Sequence, residues 1–224
     1  MNLIDYPDQD MMMLRLADKI ASELVMTLEH DERAALAVPG GSTPGPIFDA
    51  LCAADLDWAR VDVMLTDERW VPENHPRSNT ALLRKRLLTS RAAKANLVPL
   101  YGATETPEGS LEALGGAVEA ALPLSVLLLG MGEDMHTASL FPGADRLGDA
   151  LSAHAPALLP MRAPGALEPR ITLTARVLNS AVNKHLVITG QKKRDALAAA
   201  MDADDALEAP VKAVLRDITV HWAA

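Results

Sequence analysis

The sequence predicts an α/β fold, a mostly parallel sheet flanked by helices, and three observations carry this reading. Short apolar runs of strand length alternate with longer helical segments, the pattern of strands crossing back through helices. The clearest run, Val126 to Leu129, has no polar alternation, as in a strand buried on both faces. Hydrophobic residues make up 49% of the chain but aromatics only 3%, so a full core is available and must be aliphatic, rich in Met and Ala.

Taken in order, Asp10 to Glu29 reads as an amphipathic helix, with Met13, Leu16, Ala17, Ile20, Leu24 and Leu28 near a 3–4 spacing. Ala34 to Val38 is a short apolar segment leading into Pro39-Gly40-Gly41-Ser42-Thr43-Pro44. Pro44 suits the first turn of a helix to Cys52, with Ser42 or Thr43 as its cap. Val61 to Leu65 is a strand ending in Thr66-Asp67-Glu68-Arg69-Trp70. Helices are expected over Ser78 to Leu88 and Pro107 to Leu122. After Val126 to Leu129 the chain breaks at Gly130 and Gly132, and a further helical segment stops at Phe141-Pro142-Gly143. Weaker segments, Ala157 to Met161 and Ile171 to Thr174, surround a proline-rich loop. Leu186 to Thr189 is a strand, Gln191 to Met201 a helix, and Ile218 to Trp222 a last strand. No repeat, low-complexity tract or long linker divides the 224 residues, so one domain, 1–224, is expected.

Four strand ends carry polar or glycine-rich sequence: Pro39 to Thr43, Thr66 to Arg69, Gly130 to His136 and Gly190 to Lys193. In a parallel sheet these share one edge, where ligands bind in open α/β folds. Glu133, Asp134 and His136 fall within one turn there, a candidate base with a carboxylate to orient it. The plainer alternative is a polar turn in which Asp134 caps the next helix and His136 has no chemical part; this stretch alone leaves both open. Gly40 to Thr43 ahead of a helix offers backbone N–H groups and two hydroxyls, which suit phosphate, or is only a capped turn. Arg69, Arg170 and Lys193 each flank a strand and could supply fixed positive charge. Asp67 is either a catalytic carboxylate or a partner holding Arg69.

Several other chemistries fail. Gly130-Met131-Gly132-Glu133-Asp134-Met135 lacks the final Gly or Ala of a dinucleotide fingerprint, and its acidic pair would repel a pyrophosphate. Pro44 stands where a nucleophile elbow needs its last Gly. The six histidines lack metal-ligand spacing, and no metal is expected. The net charge of −9 argues against nucleic-acid or anionic-membrane binding, while allowing a local phosphate site. The single cysteine, Cys52, excludes an internal disulfide; with no visible secretory signal, it suits a cytoplasmic protein.

Five segments resemble 6-phosphogluconolactonases: PGGSTP at 39–44, TDERWVP at 66–72 with Ser78-Asn79, GMGEDMHTASLFPG at 130–143, RITLT at 170–174 and TGQKKR at 189–194. The resemblance implies a Rossmann-like sandwich of the sugar-phosphate isomerase/lactonase type, shared with glucosamine-6-phosphate deaminases. It implies hydrolysis of 6-phospho-D-glucono-1,5-lactone to 6-phosphogluconate, the second step of the oxidative pentose phosphate pathway, with no cofactor. The partner implied is a small phosphosugar lactone, with no nucleic acid and no membrane, acted on by a monomer or weak homodimer.

Carried over, His136 matches the family's catalytic histidine, with Asp134 beside it. Gly41, Ser42 and Thr43 match the phosphate loop, and Arg69, Arg170 and Lys193 match substrate-contacting basic positions. One departure stands out: Met135 occupies a position that is Gly in the deaminases and many lactonases. A positive φ there would strain a methionine, so a different local conformation of the loop is expected. Two alternatives accompany the lactonase. A deaminase-like isomerase is disfavoured because Thr137 to Pro142 holds no carboxylate; a phosphosugar-sensing module is disfavoured because no DNA-binding helices are present.

Overall fold

The computed structural model covers residues 1–224. Along the chain run β1 (Asn2–Asp5), α1 (Gln9–His30), β2 (Ala34–Val38), α2 (Gly45–Leu51), β3 (Val61–Leu65), β4 (Asp67–Arg69), α3 (Asn79–Arg86), β5 (Asn96–Leu97) and α4 (Leu111–Ala120). There follow β6 (Val126–Gly130), α5 (Leu147–Leu151), β7 (Leu158–Met161), β8 (Arg170–Leu173), α6 (Ala175–Asn179), β9 (Asn183–Thr189), α7 (Gln191–Asp202) and β10 (Thr219–Ala223).

Seven strands form one sheet in the order β1-β10-β9-β6-β2-β3-β5. Every pairing in it is parallel. The chain runs outward from β2 through β3 to β5, then returns to the other side of β2 with β6. The direction of winding therefore reverses between β2 and β6, and a crevice opens at their carboxyl ends. The loops after β2, β3, β6 and β9 emerge on that edge, as the sequence predicts. β2, β3 and the first four residues of β6 are buried throughout, which is why they lack polar alternation. Asp62, the one charge in β3, is held by Arg33 at 2.7 Å and by the Asn96 amide at 2.7 Å. A connected cluster of 59 buried apolar residues fills both faces. Each Leu or Val so buried contributes roughly 1.5–3 kcal/mol against the entropy of ordering the chain. No helix is long and apolar enough to cross a membrane.

The structure corrects the sequence reading in four places. Asp67 to Arg69 is not a turn but a strand of a second, three-stranded antiparallel sheet, β4-β8-β7. Thr66 is where the sheets join: its N–H donates to Val38 of the first, and its carbonyl accepts from Leu173 of the second, both at 2.9 Å. Helix α2 starts at Gly45 with Pro44 at its cap position, and neither Ser42 nor Thr43 caps it. No helix forms between His136 and Gly143. Ala138 has φ 49°, outside the right-handed helical region, and the Thr137 hydroxyl donates back to the Gly130 carbonyl at 2.8 Å, closing a turn instead. Finally, Asn2 to Asp5, apparent in no periodicity, forms the edge strand β1 on β10.

Candidate active site

The crevice is a cleft of about 290 Å³ whose walls include Gly41, Ser42, Thr43, Asp67, Arg69, His136, Arg170 and Lys193. Asp134, the remaining residue singled out from sequence, is not in the wall. It reaches His136 from behind, its Oδ1 lying 2.5 Å from the imidazole Nδ1. An ionised carboxylate only accepts, so the proton sits on Nδ1 and the Nε2 lone pair is left free of protein partners.

The turn carrying His136 is tied down at several points. The Gly132 N–H donates to the His136 carbonyl at 2.9 Å, and Met135 donates to Gly132 at 3.1 Å. A side chain at Gly132 would overlap the Asp134 and His136 side chains, so only glycine leaves room for that pair. Met135 adopts φ 66°, so, contrary to the expectation of a different local conformation, the turn keeps the glycine-like one with methionine in it. Its carbonyl is fixed by the N–H of Val211 at 3.0 Å. Below the imidazole lies Phe141, ring centroids 4.2 Å apart, and the Arg170 guanidinium covers the same ring at 5.5 Å.

Arg69 and Arg170 stand opposite each other in the β4–β8 register. Like charges facing across an antiparallel pair repel unless an anion or dipole lies between them. The Arg69 guanidinium donates one bond, to the Arg77 carbonyl at 2.6 Å. The Nε atoms of both arginines are buried without a partner. Burial depresses the Arg170 guanidinium below its ordinary pKa; Arg69 and Arg77 push the same way, while Asp67 and Glu168 oppose. Asp67 does not hold Arg69. It lies 3.7 Å from Arg170 and accepts a 2.5 Å hydrogen bond from Ser139 of the histidine turn. Lys193, in the first turn of α7, makes no ion pair, and Gly190 at φ 79° starts that helix beside the cleft.

Three residues of the site are not evident from sequence. Phe141 reads as part of a helix stop, Ser139 as helix interior, and Asn79 as the start of α3. Only their place in the family-like segments marks them, since each acts through a contact distant in the chain.

The model of the family described as glucosamine-6-phosphate isomerases/6-phosphogluconolactonase matches residues 7–222. The 6-phosphogluconolactonase of Rhizobium meliloti strain 1021 is 42% identical over 214 residues, covering 93% of this chain and 92% of that protein. That of Pseudomonas aeruginosa is 42% identical over 210 residues, covering 92% and 88%. Among solved structures, a 6-phosphogluconolactonase from Shewanella baltica OS155 superposes with a TM-score of 0.96 at 32% identity, covering 100% of this chain and 97% of that one. A monomeric glucosamine-6-phosphate deaminase, with a TM-score of 0.80 at 16% identity, shares the fold. With so much of its length matched, and with the family's segments gathered around one cleft, the chain belongs to the glucosamine-6-phosphate isomerase/6-phosphogluconolactonase family.

Proposed function

We propose that the chain is a lactone hydrolase that opens 6-phospho-D-glucono-1,5-lactone to 6-phospho-D-gluconate, with His136 activating water. The observation that carries this is the contact of His136 with Asp134: Nδ1 lies 2.5 Å from the carboxylate, and Nε2, without a protein partner, belongs to a residue of the cationic cleft wall. A base so oriented contributes on the order of 10²–10⁴-fold.

In this reading the water oxygen bonds to the lactone carbonyl carbon C1 as its proton passes to Nε2. The carbonyl π pair moves onto oxygen, and the resulting oxyanion lies near Arg69, whose side chain lines the cleft. When the oxyanion collapses, the bond from C1 to the ring oxygen breaks and the imidazolium returns its proton to that oxygen. Asp134 holds the ring and its charge. Asp67 is assigned an orienting part, keeping Arg170 and the Ser139 turn in place. Gly41, Ser42 and Thr43, with uncommitted hydroxyls, join Arg170 and Lys193 around the phosphate. That remote charged handle places C1 against His136 and turns binding energy into orientation. We read residues 1–224 as one catalytic unit.

The test is turnover of freshly prepared 6-phosphogluconolactone, followed against its spontaneous hydrolysis. Enzyme-dependent acceleration is expected, together with a large loss of kcat/KM for the unphosphorylated lactone. No acceleration would end the lactonase reading; equal rates for the two lactones would end the phosphate assignment.

A further inference from the structure

Asn79 has no part in the chemistry above, yet it is among the most firmly fixed groups in the cleft wall. It is 3% exposed and opens α3 immediately after the cap residue Ser78. What fixes it is Glu68, a fully buried carboxylate in β4. Its Oε1 accepts the N–H groups of Arg69 at 2.7 Å and Asn79 at 2.8 Å. Its Oε2 accepts the Ser78 hydroxyl at 3.0 Å, the Thr80 N–H at 2.7 Å and the Thr80 hydroxyl at 2.8 Å. Five donors on one carboxylate saturate its lone pairs and lock the first turn of α3 onto the strand that bears Arg69.

The Asn79 side chain then crosses to the loop after β2. It occupies the space where a Cβ on Gly40 would otherwise lie, which accounts for glycine at that position. One amide atom is 3.0 Å from the Asp67 carbonyl oxygen. A carbonyl can only accept, so that atom is Nδ2, and the orientation of the amide follows. Oδ1 is left with no hydrogen bond from the protein. It is not among the sealed, partnerless atoms of the chain, and Asn79 borders the cleft beside Gly40 and Asp67. A neutral acceptor in a wall that carries Arg69, Arg170 and Lys193 is unsuited to a phosphate dianion, which offers only acceptors, and suited to a hydroxyl, which can donate.

We infer that Asn79 contacts the substrate directly, its Oδ1 accepting a hydrogen bond from one hydroxyl of the sugar-lactone ring, and so acts as a specificity determinant for that hydroxyl. The inference rests on the lactonase reading above. It concerns recognition of the polyol, not the reacting carbonyl or the phosphate.

The experiment pairs substrate and protein changes. Wild type and Asn79→Ala are assayed for kcat/KM with 6-phosphogluconolactone and with its 2-deoxy, 3-deoxy and 4-deoxy analogues. At one ring position, deoxygenation should cost wild type about tenfold or more, as expected for a lost hydrogen bond in a buried site, and should cost Asn79→Ala almost nothing. The inhibition constant for inorganic phosphate should be the same in both proteins. Asn79→Leu, which keeps the side-chain volume against Gly40 but has no acceptor, should lose the discrimination as alanine does and is the second variant if the alanine cavity disturbs folding. Equal deoxygenation losses with and without the Asn79 acceptor, at all three positions, would overturn the inference. So would a fall in phosphate affinity matching the loss in kcat/KM, which would make Asn79 only a prop for the glycine loop. Absence of wild-type turnover would instead remove the lactonase reading itself, so the two failures are distinguishable.

Discussion

A methionine at φ 66° in the turn that carries His136 is an expensive arrangement, since the left-handed region costs an L residue roughly 1–2 kcal/mol. Met135 is held there from both sides, by Gly132 at its N–H and Val211 at its carbonyl. Its unbranched Cβ makes the conformation tolerable, whereas a β-branched side chain at this φ clashes with its own backbone. Met135→Ile should therefore destabilise the protein by about 1–3 kcal/mol and lower kcat with it, while Met135→Gly should keep both near wild type. Thermal unfolding and steady-state kinetics on the pair check this; equal effects of Ile and Gly would show that packing, not φ, decides. For His136, replacement by Ala should reduce kcat by on the order of 10²–10⁴-fold with product affinity for 6-phosphogluconate nearly unchanged, measured by calorimetry. Near-normal turnover would remove it from the mechanism.

Among the elements, the small antiparallel sheet matters most for the site, and it was the least legible. β2, β6 and the later halves of β3 and β9 declare themselves because a segment buried on both faces is a contiguous apolar run. β4 is three residues long, and its partner β8 lies about a hundred positions away, so Asp67-Glu68-Arg69 looks like any polar strand end. The helix expected after His136 failed for a related reason. Thr137, Ala138 and Ser139 are acceptable in a helix, but the hydroxyls of Thr137 and Ser139 are committed to Gly130 and Asp67 instead. Motif-like segments still located the site, because the four loop ends needed only parallel strands to meet. The bond from Ser139 to Asp67 links the histidine turn to β4. Ser139→Ala should cost about 1–3 kcal/mol by leaving a buried carboxylate short of a donor. It should also weaken phosphate binding through Arg170, as judged by inhibition with inorganic phosphate. A stability loss with unchanged phosphate affinity would detach Asp67 from the binding role given to it.

Across the whole molecule, the sheet's opposite flank carries a buried polar chain remote from the cleft. Tyr6 lies 2.9 Å from Nδ1 of His221, whose Nε2 is 3.0 Å from Nδ1 of His185. Nε2 of His185 is in turn 2.8 Å from Glu23, which Lys19 also meets at 3.1 Å. Read from the tyrosine, every proton can point toward the carboxylate, so the run of hydrogen bonds is complete with His221 uncharged. Burial and the adjacent His185 push His221 down to about 4, from an ordinary value near 6.5. Burial alone would raise Glu23, but the bonds from His185 and Lys19 leave it below its ordinary range. The unfolded chain thus takes up a proton at His221 that the folded chain refuses. Stability from this group is complete above pH 6.5 and is lost as pH falls toward 4, by up to about 3 kcal/mol. Denaturant titrations across that range should show the slope, and His221→Asn should flatten it; an unaltered slope in the variant would place the acid sensitivity elsewhere. The same flank has a consequence for biosynthesis. β1 pairs only with β10, which lies between it and β9. On the ribosome the first strand to emerge has nothing to join until the last of the ten has left the exit tunnel. The earlier strands can assemble around β2 and β6 during translation, but this edge closes only after synthesis has passed Ala223. Until then the backbone groups that Asn2 to Asp5 give to β10 lack their partner.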